Sequence, residues 1–249
     1  MRRDSVCQSF ESLEGRRFFS AAVEVVAPER ATPFKRTAGY PAQIAASLSK
    51  GGTLTVLGSA NPETIRVTHE ADGRIWVSTT RKGGMTRFLF SFRAKTTQRV
   101  YVDAGDGDDK IDCKGVFRIT HLLGNFGNDS IHGSDYIDGI FGGPGNDNIH
   151  AHEGNDQVWG DDGDDTLQGD DGDDDLTGGY GSDTILGNGG DDSIYSADGT
   201  AQDLISGGLG MDWASADKNH EGDWQGEWTP GDWERSAVWA KDIETITGN

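Results

Sequence analysis

Cysteine is nearly absent from this 249-residue chain, which holds only Cys7 and Cys113. They cannot form a disulfide scaffold, and no Cys-x-x-Cys pair exists for zinc or redox chemistry. Long apolar runs are missing too. Nothing approaches the roughly 18 consecutive apolar residues of a membrane helix, so no membrane span is expected. Basic residues run out after residue 100: residues 101–249 hold six Lys/Arg against 34 Asp/Glu, a net charge of −28. Such a segment meets nucleic-acid phosphate as a like charge, which excludes nucleic acid as a partner.

What the chain has instead is glycine and aspartate. Of its 37 glycines, 29 lie beyond residue 100, whereas residues 1–100 carry 16 Lys/Arg and 8 Asp/Glu, net +8. An acidic segment this poor in large apolar residues stays disordered unless something neutralises it. Its order lies in an internal period. From Gly124 to Tyr195 the sequence divides into eight nine-residue blocks without a gap: GNFGNDSIH, GSDYIDGIF, GGPGNDNIH, AHEGNDQVW, GDDGDDTLQ, GDDGDDDLT, GGYGSDTIL and GNGGDDSIY. Position 6 is always Asp, position 8 always Ile, Val or Leu, and position 4 is Gly except for Tyr136. Ala104–Asp112 is a further block upstream, followed by an irregular stretch, Cys113–Leu123. Downstream, Ser196–Ser206 carries two extra residues and Gly207–Ser215 closes the array.

Glycines at positions 1, 2 and 4 permit positive φ and tight curling with carbonyls turned inward. Positions 7–9 alternate polar, apolar and polar or large, which predicts a very short strand with position 8 inward. Two turns and two strands close a coil of eighteen residues, so alternate blocks stack on one side at the strand spacing of about 4.8 Å. Between stacked turns, an Asp from each joins main-chain carbonyls in an all-oxygen cage. Hard oxygen ligands bearing two negative charges suit Ca²⁺ rather than a softer transition metal.

The blocks resemble GGxGxDxUx, the RTX or haemolysin-type calcium-binding nonapeptide, closely over residues 104–215. The resemblance implies an all-β fold, a right-handed parallel β-roll (β-solenoid), with Ca²⁺ ladders along both edges. One ladder would use Asp109, Asp129, Asp147, Asp165, Asp183 and Asp203. The other would use Asp138, Asp156, Asp174, Asp192 and Asp212, and Gly142, Gly160, Gly169, Gly178 and Gly187 would contribute main-chain ligands to the sites. Tyr136 and Ile137 break the pattern beside Asp138, and residues 113–123 break the spacing between Asp109 and Asp129. No segment has the spacing of an EF-hand loop.

The flanks differ from the repeat. Residues 1–27 lack a continuous apolar core for a signal peptide. Yet Phe10–Ala21, FESLEGRRFFSA, resembles the LEPRxLLS-type segment of planctomycete surface and secreted proteins, which implies export. Pro28, Pro33 and Pro41 mark residues 28–50 as a linker. In 51–103, Leu54/Val56, Ile65/Val67, Ile75/Val77, Phe88/Phe90/Phe92 and Val100/Val102 predict five short strands, with Asp72-Gly73 as a two-residue hairpin turn. This segment is expected to cap the roll, because repeat arrays need atypical ends. Residues 216–249 form a Trp-rich tail (Trp224, Trp228, Trp233, Trp239) expected to cover the other end. Its last residues, 242–249, resemble the D-V-E-N-I-x-G element that precedes further nonapeptides in RTX chains.

Catalytic signatures are missing. His152-Glu153 begins H-E-x-x-H, but Asp156 stands where the second His belongs, and no G-x-S-x-G occurs. His132 and His150, at position 9 of same-side blocks, are expected to stack as an exposed ladder. The sequence predicts a non-enzymatic, extracellular or cell-surface calcium-binding protein that folds on metal uptake, with calcium and a cell-surface or polysaccharide group as partners. The alternatives are a Ca²⁺-dependent adhesin or carbohydrate-binding module and a fragment of a larger secreted RTX enzyme.

Overall fold

The computed structural model describes residues 44–81, 87–196 and 203–215. The export-like segment 1–27, most of the linker and the tail 216–249 with its four tryptophans lie outside them. Eighteen strands make up the described fold, with one 3₁₀ turn at Ala94–Thr96. The N-terminal strands are β1 (Ala45–Leu48), β2 (Thr53–Ser59), β3 (Glu63–Glu70), β4 (Arg74–Arg81), β5 (Arg87–Arg93), β6 (Arg99–Asp106) and β7 (Lys110–Asp112). Then come β8 (Ile119–Phe126), β9 (Ser130–His132), β10 (Asp138–Pro144), β11 (Asn148–Glu153), β12 (Gln157–Asp162) and β13 (Thr166–Asp171). The last are β14 (Asp175–Tyr180), β15 (Thr184–Gly189), β16 (Ser193–Tyr195), β17 (Leu204–Leu209) and β18 (Trp213–Ser215).

The strands form two nine-stranded sheets, β1-β2-β6-β8-β10-β12-β14-β16-β18 and β17-β15-β13-β11-β9-β7-β3-β4-β5. From β5 onward consecutive strands alternate between the sheets, and the stacks running from β2 through β6 to β18 and from β3 through β7 to β17 are parallel. The fold is a parallel β-solenoid. Register advances eighteen residues per coil in the regular part, as Asn148 pairs with Thr166 and Gln157 with Asp175. Inward columns fill the interior: Val102, Leu122, Ile140, Val158, Leu176 and Ile194 from one sheet face Ile111, Ile131, Ile149, Leu167, Ile185 and Ile205 from the other. All are buried, because a period of two turns position 8 inward and positions 7 and 9 outward.

Several expectations change. The strands are longer than positions 7–9, since most run on through positions 1–3 of the next block. The solenoid also begins before residue 104. β2 pairs with β6 and β3 with β7, so residues 53–98 form a complete coil of 46 residues with the β4–β5 hairpin inserted. The antiparallel strands β1, β4 and β5 border this N-terminal end of the two sheets. The end of the linker is not linker: Ile44 is buried and β1 pairs with β2, because the apolar residues at 46 and 48 pack on the core. The β3–β4 turn has three residues, not two. Glu70 pairs with Arg74, and Gly73 takes φ 75° in the left-handed place that such a loop requires. The irregular stretch before β8 is a block with two extra residues, absorbed by a turn in which the Val116 N–H donates to the Cys113 carbonyl.

Candidate metal ladders

Each turn occupies positions 4–6, and the Asp at position 6 is buried: Asp109, Asp129, Asp138, Asp147, Asp156, Asp165, Asp174, Asp183, Asp192 and Asp203 are at most 3% exposed. Stacking sorts them into two files. On one edge, each Asp N–H donates to Oδ1 of the Asp one coil on: Asp109 to Asp129, Asp129 to Asp147 and Asp147 to Asp165, each at 2.7 Å. Asp165 then donates to Asp183 at 2.8 Å, and Asp183 to Asp203 at 2.9 Å. On the other edge Asp138, Asp156, Asp174, Asp192 and Asp212 are linked in the same way, at 2.8–3.0 Å. The structure therefore brings together every predicted Asp of each ladder, and the spacing of twenty between Asp109 and Asp129 leaves no break.

One oxygen of each rung carboxylate is thus tied to the backbone, and in seven of them the other has no partner. Oδ2 of Asp109, Asp129, Asp147, Asp156, Asp165, Asp174 and Asp192 is buried without a hydrogen-bond partner. Burying an ionised oxygen unpaired is costly unless a cation meets it.

The position-1 glycines shape the same cavity through their missing Cβ and not through positive φ. Gly142, Gly160, Gly169, Gly178 and Gly187 do not have positive φ. A Cβ on Gly142 would overlap Asp147 Oδ2 and lie 2.8 Å from the carbonyl oxygen of Gly160. The same overlap awaits at Gly160, Gly169, Gly178 and Gly187, with the Asp five residues on. These glycines are needed for room. The left-handed residues are at positions 2 and 4. Position 4 is glycine because from Gly127 to Gly210 a Cβ there would run into the carbonyl of the position-4 residue one coil before, as Gly163 does with Gly145 and Gly154 with Tyr136. Position 2 is often not glycine: Asn125, His152, Asp161, Asp170 and Asn188 all have φ between 72° and 80°.

The first rungs differ. The Asp138 carboxylate accepts from the Ser134 N–H (2.5 Å), the Ser134 hydroxyl (2.7 Å) and the Thr120 hydroxyl (2.7 Å). The other file begins with a residue that the period did not reveal. The Glu63 N–H donates to Asp109 Oδ1 at 2.7 Å, while its carboxylate accepts from the N–H (3.2 Å) and hydroxyl (2.7 Å) of Ser59. Aligned on Gly58, the segment GSANPETIR is a disguised block with Glu in place of Asp. Position 5 has its own role, also missed. Asn128, Asn146 and Asp164 accept through side-chain oxygens from the N–H of residues 146, 164 and 182 of the following coil.

Burial, joined by repulsion from neighbouring carboxylates, raises the ladder acids. Asp156 is pushed up to about 9 by burial and the charges of Asp138 and Asp174. Asp109 and Asp147 rise to about 8, and Asp165, Asp174 and Asp192 to about 7, burial being the largest cause throughout. Asp138 rises only to about 6, because the Ser134 and Thr120 hydrogen bonds favour its charge.

Buried Oδ2 atoms facing glycine carbonyls make a hard, anionic, all-oxygen donor set, which fits Ca²⁺. The Asp files would hold the ion through Oδ2, with Gly142, Gly160 and Gly187 turning carbonyl oxygens toward the neighbouring rung. Bound there, Ca²⁺ would supply charge neutralisation between coils.

The stacked acidic turns define a parallel β-solenoid of the metal-binding kind. Residues 120–139, 132–167, 168–202 and 177–214 each match the RTX calcium-binding nonapeptide repeat. Residues 120–214 are therefore RTX-type calcium-binding repeats. No curated protein matches the chain. Among the described residues no helix is long and apolar enough to cross a membrane.

Proposed function

We propose that this is a non-enzymatic, secreted or cell-surface protein whose repeats order around Ca²⁺ and serve as a structural or interaction module. The observation that carries this reading is the buried Oδ2 atoms of Asp109, Asp129, Asp147, Asp156, Asp165, Asp174 and Asp192, which line up in the two files without a hydrogen-bond partner. Export fits the same chemistry, since extracellular calcium modules work at about 10⁻⁴–10⁻³ M Ca²⁺. The residues resembling an export segment, Phe10–Ala21, point the same way. Circular dichroism of the full chain in chelator and in millimolar Ca²⁺ tests the metal reading: a gain of β signal with Ca²⁺ supports it, and identical spectra refute it. Cell fractionation tests location, and a native protein confined to the cytoplasm would overturn export.

Aromatic rings on the outer face of the first sheet favour a second reading, Ca²⁺-dependent adhesion to polysaccharide. Phe141 and Trp159 stack at 4.5 Å between centroids, and Tyr195 meets Trp213 edge-on at 4.8 Å. Glycan-array binding that needs Ca²⁺ and is lost on Trp159→Ala would establish it. Binding retained in that variant would remove the sheet face from the reading.

A further inference from the structure

Three histidines gather on the outer face of the second sheet, away from the acidic files. His132 ends β9, while His150 and His152 lie two apart on β11. His132 and His150 stack at 5.1 Å, as position 9 on adjacent coils dictates. The third ring is brought in by backbone. His152 takes φ 80° at position 2, and its ring lies 5.5 Å from that of His132. His132 Nδ1 and His152 Nε2 are 3.3 Å apart. On the far side of the His152 ring, Nδ1 lies 3.5 Å from Asp170 Oδ2, one coil on.

The proton arrangement follows from these contacts. A proton on His152 Nδ1 faces the Asp170 carboxylate, which leaves Nε2 as a lone pair directed at His132. Without a cation, His132 Nδ1 donates to it. Moving that one proton to His132 Nε2 leaves two lone pairs facing each other across 3.3 Å, and a rotation of the two rings about their side-chain bonds turns both toward one cation. Two imidazole nitrogens on one tetrahedral cation, with bonds of about 2.0–2.1 Å, stand roughly 3.3 Å apart. Burial lowers the proton affinity of both rings, helped by His150 and by Lys110 for His132, and by Lys114 for His152. Both are therefore neutral and competent as ligands at neutral pH. A carboxylate behind a ligating imidazole is the usual way in which ring orientation and tautomer are set.

We infer that His132 Nδ1 and His152 Nε2 form a binding edge for one borderline divalent cation such as Zn²⁺, with Asp170 positioning His152, His150 bracing the His132 ring, and water completing the shell. Among the described residues no three ligating side chains converge on a single point, which is why the site is a two-nitrogen edge rather than a closed cage. It is distinct from the ladders in place and in chemistry, since imidazole selects a softer cation than an all-oxygen cage does. The reading does not depend on where the protein resides.

The test is Zn²⁺ titration of the full chain by calorimetry, with Ca²⁺ saturating so that the acidic files are occupied. A single equivalent is expected. His132→Ala and His152→Ala should abolish it, and Asp170→Asn should weaken it about 10–100-fold. His150→Phe keeps the stacked ring and should retain binding within a few-fold. Cu²⁺ in place of Zn²⁺ should show nitrogen hyperfine coupling in its electron paramagnetic resonance, a signal lost in the His152 variant. The β signal in Ca²⁺ confirms that each variant is folded. No uptake by the wild-type chain, or unchanged uptake in the folded His132 and His152 variants, would overturn the site. Loss of binding in His150→Phe would overturn the two-nitrogen assignment.

Discussion

A position-6 carboxylate answers to two partners at once: its Oδ1 holds a backbone N–H of the neighbouring coil, and its Oδ2 faces a glycine carbonyl wall. Removing Asp165 therefore removes a rung link and a ligand shared by the spaces on either side. Asp165→Ala should raise the Ca²⁺ midpoint on the order of tenfold, since affinity follows ligand charge count. Asp138→Ala should shift that midpoint less and lower stability in chelator more, because Asp138 is already satisfied by Ser134 and Thr120. Calorimetric Ca²⁺ titration and thermal melts of both variants check this. A larger calcium loss at Asp138 would show the ladder to be misread. The weakened acidity of these carboxyl groups sets a pH effect with a definite sign. In the metal-free fold these acids hold protons up to about 7–9, whereas unfolded carboxylates release them near 4. Across that window the folded state binds more protons, so its stability falls as pH rises. Circular dichroism in chelator should show more β structure at pH 6 than at pH 9, while the Ca²⁺ needed for folding rises toward pH 6. The reverse trend in chelator would count against burial of these acids. The Asp and Ile columns were plain in the sequence because they recur in every block. The reasons for the glycines were not. Room at Gly142 and left-handed backbone at Gly145 look alike as letters, and Asn, Asp or His at position 2 conceals the same backbone demand.

At the level of elements, the coil built from β2 and β3 stands apart. Its inward residues Leu54, Val56, Ile65 and Val67 are fully buried, two per strand, against one large apolar residue per nine in the repeats. Its rung is Glu63, whose carboxylate takes two hydrogen bonds from Ser59. Ser134 serves Asp138 in the same manner at the start of the other file. Both files thus open on a rung that the protein itself satisfies. Hydrogen exchange in excess chelator should find the amides of β2, β3 and β6 protected and those of β11–β16 exchanging at least tenfold faster, because fewer apolar contacts hold them. Uniform protection would refute this gradient. The five strands of 53–102 were legible from alternation alone. Their place in the solenoid was not, because the hairpin insertion stretches one coil to 46 residues and hides the eighteen-residue period.

For the molecule as a whole, charge decides when the fold exists. Residues 101–249 carry −28, and the stacked turns line up eleven of their aspartates in two files. Each Ca²⁺ removes two charges at a point that forms only when coils are stacked, so binding free energy is folding free energy. A Ca²⁺ titration followed by far-ultraviolet circular dichroism should be steep, with a Hill coefficient above one. Mg²⁺ should substitute poorly, being smaller and slow to shed its water. A shallow, non-cooperative curve, or equal response to Mg²⁺, would contradict the coupling.

The solenoid closes its coils around eighteen, twenty or 46 residues: Asp147 reaches Asp165, Asp183 reaches Asp203 and Glu63 reaches Asp109 through the same rung bond. Registration therefore resides in the rung and the inward column, and chain length between rungs is free to vary. Such an architecture is a rack with open slots. A foreign loop or small domain spliced into one turn would be carried at a fixed height along the stack, and several could be spaced at multiples of the strand separation.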